Sequence, residues 1–129
     1  FRSVRNVKGF KEVNRNGARQ LEAPKSTGWF SIDSIDLGAI KSAELQASRT
    51  DALHYGYSFE LRLDSPEGRK IGETILSPSN DNKMTTVILP VKVETVDDGK
   101  FHNLYIIGRA NDANETGTVA LGSVRFKTK

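Results

Sequence analysis

Apolar residues recur at every second position along most of this chain. The clearest stretch is Tyr57-Ser58-Phe59-Glu60-Leu61-Arg62-Leu63-Asp64, where Tyr57, Phe59, Leu61 and Leu63 share one face and Ser58, Glu60, Arg62 and Asp64 the other. Such alternation predicts a half-buried antiparallel strand. Asp64-Ser65-Pro66-Glu67-Gly68 follows as a tight turn, Pro preset for it and Gly free to take positive φ. Arg69–Ile75 returns as the partner strand, and Thr85–Val93 alternates again with Val87, Leu89, Val91 and Val93 on one face. Asp97-Asp98-Gly99 is a second hairpin signal, and Phe101–Ile107 comes back from it, with Leu104 and Ile106 opposing Phe101, Tyr105 and Ile107. Further strands are expected at Trp29–Ile35, Ile40–Ala47 and Val119–Phe126, with weaker signals at Val4–Val7 and Ala18–Glu22. In the last strand Val119 and Leu121 share one parity, Val124 and Phe126 the other. A β-bulge at Gly122 would keep all four inward.

Gly, Asn, Asp and Ser interrupt every window in which a helix might run. Eight or nine short antiparallel strands joined by regular turns read as an all-β fold, a jelly-roll β-sandwich. If successive strands run antiparallel, the connections alternate between the two ends of the sandwich. One end then receives the short Asp36–Ala39, Ser65–Gly68 and Glu94–Lys100. The other receives the longer, polar Ala23–Gly28, Ser48–Gly56, Leu76–Lys83 and Gly108–Thr118. Long polar loops on a rigid scaffold are either a binding surface or plain solvated connections. Their chemistry-bearing residues include His54, Tyr55, Asn82, Lys83, Asn111 and Asn114.

At 129 residues the chain fits one domain, 1–129, without internal repeat, low-complexity tract or linker. It opens on Phe1-Arg2-Ser3-Val4 without an initiator Met, which reads as a β-sandwich excised from something longer. There is no Cys, which excludes disulfides, thiolate metal sites and cysteine nucleophiles. No apolar run approaches the roughly 20 residues of a membrane span, so no membrane partner is expected. The net charge of +3 is uneven: Arg2, Arg5, Lys8, Lys11, Arg15, Arg19 and Lys25 face only Glu12 and Glu22 in the first 25 residues. A basic arm can meet nucleic acid, but these cations are spaced and lack interleaved stacking aromatics. The preferred reading is solvated edge strands, which often carry Lys and Arg, and no nucleic-acid partner is expected.

Catalytic constellations are thin. The two His are far apart, and no Gly-x-Ser-x-Gly or His-x-x-x-His spacing occurs. Asp81 and Glu115 are a candidate acid pair for a small glycoside hydrolase, which needs two carboxyls about 5–9.5 Å apart. Asn111-Asp112-Ala113-Asn114-Glu115 is an oxygen-rich stretch without the Gly and spacing of an EF-hand. No catalytic residue, metal ligand or cofactor is assigned; a structural calcium is the one candidate ion.

Gly28-Trp29-Phe30, Ile35-Asp36-Leu37-Gly38-Ala39-Ile40, and Phe59 to Gly68 with Ile71-Gly72 together resemble the family 6 carbohydrate-binding modules. Asp98 to Ile106 and Val119 to Phe126 resemble their closing strands. The resemblance spans roughly residues 18–127 and is closest to the modules appended to secreted bacterial sugar dehydrogenases, cytochrome-linked proteins and glycoside hydrolases. It implies a jelly roll of the galactose-binding-like kind, a larger secreted parent protein, a secreted, periplasmic or cell-surface location, and no enzymatic activity. It implies binding of polysaccharide or oligosaccharide that brings a neighbouring catalytic domain to its substrate. The candidate contacts read from the loop end are His54, Tyr55, Asn82, Lys83, Asn111 and Asn114, with Trp29 either stacking on sugar or packing within the sandwich; of these the resemblance itself implies an amide, Asn114 or Asn111. Where such modules hold a sugar between two aromatics, this chain has Leu21-Glu22-Ala23-Pro24 and Asn82-Lys83-Met84. The alternative is therefore a structural or docking sandwich that has lost the sugar site.

Overall fold

The structure is a computed structural model that describes residues 4–15, 17–49, 52–80 and 85–128. Ten strands follow in order: β1 Val4–Lys8, β2 Lys11–Arg15, β3 Ala18–Glu22, β4 Gly28–Ile35, β5 Ile40–Arg49, β6 Tyr57–Leu63, β7 Lys70–Leu76, β8 Thr85–Lys92, β9 His102–Ala110 and β10 Val119–Thr128. The only helical element among the described residues is a 3-10 turn, Leu37–Ala39, capped by the Asp36 carboxylate accepting from Gly38 N–H. Two five-stranded sheets, β1-β4-β9-β6-β7 and β2-β3-β10-β5-β8, face each other with antiparallel strand pairing throughout. This is the expected jelly-roll sandwich.

The inward faces follow the period-two pattern. Tyr57, Phe59 and Leu61 of β6, Leu104 and Ile106 of β9 and Phe30 of β4 meet Leu45 of β5 and Val119 and Leu121 of β10 in one core, all essentially inaccessible to solvent. Phe10 closes it at the β1 side, its ring edge-on to Phe30 with centroids 5.0 Å apart. Between β10 and β5 the register runs Leu121 opposite Ala47, then Ser123 opposite Gln46 and Val124 opposite Leu45. Gly122 is the unpaired extra residue, so Val124 and Phe126 pack against the core beside Val119 and Leu121.

One strand escapes the sequence pattern. β2 has a single apolar residue, Val13, and forms through its hairpin with β3, where Gly17 takes φ +79. β1 and β2 are the outer strands of their sheets, so Arg5, Lys8 and Lys11 sit on edge strands, while Arg19 lies on the inner β3 and Lys25 in the loop before β4. Arg5 lies 3.9 Å from Asp33, and Arg19 lies 2.9 Å from Glu12. Charged edges of this kind discourage edge-to-edge pairing.

The long connections do gather at one end. Leu53 and Ser79 exchange two backbone hydrogen bonds of 2.9 Å, Asn111 N–H donates to Gly56 O at 2.9 Å, and Ala110 N–H donates to Lys25 O at 3.2 Å. The short connections lie at the other end, where Asp64 N–H donates to Asn103 O at 2.8 Å and Glu94 N–H to Ile71 O at 2.7 Å.

Because Gly122 is the surplus residue of the bulge, deleting it restores simple alternation along β10. We expect that deletion to cost under about 2 kcal/mol in urea denaturation. Deletion of Arg125 instead turns Phe126 outward and is expected to cost about 2–4 kcal/mol.

Candidate ligand-binding loop end

The β9–β10 loop makes a tight turn in which Asp112 Oδ1 accepts from Asn114 N–H at 2.8 Å and Asp112 O from Glu115 N–H at 3.1 Å. That turn drives Glu115 inward until it is only 3% exposed. Its carboxylate accepts four backbone N–H groups: Tyr55 at 2.7 Å, Gly56 at 2.9 Å, Gly117 at 2.9 Å and His54 at 3.2 Å. Burial by itself would raise this acid, but the four donors outweigh it and hold the carboxyl at about 2. Gly56 makes the approach possible. It takes φ +85, and a Cβ there would lie 2.1 Å from Leu76 O.

Beneath the clamp, Tyr57 OH donates to Gly117 O at 2.8 Å, and Lys25 Nζ donates to Tyr57 OH at 2.7 Å and to Gly117 O. Burial first, then the negative charges of Glu115 and Glu22, push the Tyr57 phenol up to about 12. Lys25 and Tyr57 are thus internal struts that tie the loop before β4 to the loop before β10.

The expected site residues divide. His54 and Tyr55 are adjacent, exposed and held from behind by Glu115, with the Tyr55 side 41% open. Asn114 is exposed on the turn that delivers Glu115. Asn111 lies in the same cluster, but its amide is already committed: it accepts from Ser58 Oγ and donates to Tyr55 O at 2.9 Å. Trp29 sits elsewhere. Phe30 takes the core side of β4, so Trp29 lies half-buried on the outer face of its sheet, opposite Ile107, with Lys8 Nζ 5.0 Å from its ring centroid. Asn82 and Lys83 lie outside the described residues, as does Asp81.

Sequence reasoning missed Glu115 as the organiser and Lys25 as a strut. The available signal was a lone Glu between Asn- and Gly-rich segments, with Gly at both 56 and 117. The hydrolytic pairing of Asp81 with Glu115 fails on Glu115, which is 3% exposed and has both oxygens taken by backbone N–H groups, so it is free to act neither as general acid nor as nucleophile or base. In the Asn111–Glu115 loop both oxygens of Glu115 and Oδ1 of Asp112 accept backbone N–H groups. Among the described residues, no three His, Cys, Asp or Glu side chains are arranged to hold a metal ion.

No protein-family model matches the chain, and no curated protein matches it. Solved structures do. A family 6 carbohydrate-binding module from Clostridium cellulolyticum, in complex with xylose, is 20% identical over 98% of this chain and 92% of that one, with a TM-score of 0.77. The module CsCBM6-3 from Clostridium stercorarium, in complex with cellobiose, is 12% identical over 98% of this chain and 87% of that one, at 0.70. A glycoside hydrolase family 43 arabinoxylan arabinofuranohydrolase from Bacillus subtilis, in complex with cellotetraose, matches 91% of this chain at 15% identity and 0.66, the match spanning 23% of that longer protein. The architecture of this chain is the jelly roll of the family 6 carbohydrate-binding modules. At these identities the likeness is one of fold.

A carboxyl lowered from 4.5 to about 2 stabilises the fold by roughly 3 kcal/mol, fully above its ordinary pKa and progressively less as pH falls toward 2. We expect Glu115→Gln to lower stability at pH 7 by about that amount in urea denaturation. The gap from wild type should narrow below pH 4.5 and close near pH 2.

Proposed function

We propose that this chain is a non-catalytic carbohydrate-binding module that holds a polysaccharide or oligosaccharide at its loop end. The observation that carries the reading is the Glu115 clamp, which fixes the backbone under an exposed aromatic, Tyr55. Sugar binding needs a rigid apolar face for the C–H side of a pyranose and polar groups around it for the hydroxyls. Tyr55 is the face. His54 and Asn114 are the polar neighbours, able to donate and accept. Asn111 supports them by holding Tyr55 O. The likeness in fold to modules solved with xylose and cellobiose supports the same reading.

The module would act in a secreted, periplasmic or cell-surface bacterial protein, bringing a neighbouring catalytic domain to insoluble or soluble polysaccharide. No helix among the described residues is long and apolar enough to cross a membrane. Tethering of this kind raises the enzyme's local substrate concentration without any new chemistry.

Native gels cast with xylan, hydroxyethylcellulose, mixed-linkage β-glucan or polygalacturonate test the proposal. We expect retardation by one polymer class and at least a tenfold loss of affinity, about 1.4 kcal/mol, in Tyr55→Ala by calorimetry. The exposed position of Tyr55 should leave thermal stability nearly unchanged. A folded domain that ignores every polymer at millimolar sugar would overturn the reading and favour a docking sandwich that packs on its neighbouring domain.

A further inference from the structure

At the end opposite Glu115, the short connections converge on His102, the first residue of β9, whose side chain is one-tenth exposed. Its Nδ1 lies 2.8 Å from Asp64 Oδ2, and its Nε2 lies 2.8 Å from Asp98 Oδ2. Asp64 opens the turn between β6 and β7. Asp98 belongs to the connection between β8 and β9. One imidazole therefore bridges two connections that share no strand pairing at that point.

The two carboxylates are held unequally. Asp64 takes φ +64, donates its N–H to Asn103 O at 2.8 Å and accepts Asn103 N–H on Oδ1 at 3.0 Å. Asn103 Oδ1 in turn accepts Ser34 N–H at 3.2 Å, which anchors the arrangement to β4. Asp98 has one further bond, accepted from Lys100 N–H at 3.0 Å within its own loop. The other charged groups of the surrounding elements are Glu94, Asp97 and Lys100 on the β8–β9 connection, Glu67 and Arg69 on the β6–β7 turn with Arg69 3.5 Å from Glu94, Arg62 and Glu60 of β6 paired at 2.6 Å, Asp36 beside Asp97 at Gly38, and Asp33 of β4, which faces Arg5. The β4 residue opposite His102 is the apolar Ile35.

An imidazole donates from both nitrogens only when protonated; the neutral ring has one donor and one lone pair. Two facing carboxylates are both satisfied only by the imidazolium. We propose that His102 is a proton-operated staple: when charged it ties the Asp98 loop to the Asp64 turn, and on losing its proton it keeps Asp64 and releases Asp98. Asp64 is the partner retained because the Asn103 bonds fix it in place. The segment freed is Asp97–Lys100, next to Phe101, whose ring is 73% exposed.

The hydrogen bond to Asp64, then that to Asp98, raises the His102 pKa above its ordinary value. The Lys100 N–H and then His102 lower that of Asp98. A group raised on folding stabilises fully below its unfolded pKa, here about 6.5, and that support is lost as pH rises through the raised value. The staple therefore opens on the alkaline side of pH 6.5.

NMR of the 15N-labelled chain between pH 5 and 9 tests this, reading the His102 ring nitrogens and the amides of Gly99 and Lys100 together. We expect a His102 midpoint above 6.5, with Gly99 and Lys100 following the same curve while Gly117 at the far end does not. In Asp98→Asn the His102 midpoint should fall by at least half a unit and the Gly99 response should disappear. A wild-type midpoint at or below 6.5, loop amides that ignore the titration, or an unchanged midpoint in Asp98→Asn would each overturn the proposal.

Discussion

One buried anion organises the loop end of this sandwich. Glu115 carries a full negative charge into a nearly closed pocket, and its desolvation is offset by four backbone N–H groups from two different connections. The arrangement works because each of those donors belongs to a loop with no strand partner there. Without the carboxylate, His54, Tyr55 and Gly56 would hold three buried or half-buried N–H groups with no acceptor from the sheets. The backbone beneath that exposed surface is consequently hydrogen-bonded to a buried group, although it is made of loop.

The opposite end solves the same problem differently. Its connections are short, so the strands themselves bring the chain back, and a single ring between two half-exposed carboxylates completes the closure. One end is locked by a group that stays ionised across the physiological range. The other is fastened by a group whose charge changes within reach of it. The sandwich thus pairs an end closed by a buried carboxylate with an end closed by a titratable ring.

Much of this was legible in the sequence because period two is a local property. The alternation of Tyr57, Phe59, Leu61 and Leu63 fixed both the strand and its buried face, and the parity break at Gly122 revealed a bulge before any register was known. Even the gathering of the long loops followed from counting strands. The β2 strand was not legible, since Lys11–Arg15 has one apolar residue and owes its existence to a hairpin partner. The roles within the loop end were hidden for a related reason. Whether Asn111 is free or committed, or whether Glu115 is exposed or buried, depends on groups about 60 positions away. Composition could put these residues at one end, but only closure of the sandwich decides which of them face solvent. Trp29 shows the same limit, as it stands one residue from the loop end yet on the flat of the sheet, under Lys8.

The span of the Glu115 bonds has a kinetic meaning. Residues 54–56 and 115 are 59 to 61 positions apart in the chain, so their contact closes a long loop before it gains any stabilisation. The clamp belongs to the late part of the folding reaction, after the strand pairs that shorten that separation have formed. A partly folded intermediate of this sandwich would have paired sheets with an unfinished loop end. The surface around Tyr55 takes shape only once β10 has docked, so its appearance reports the completion of the domain.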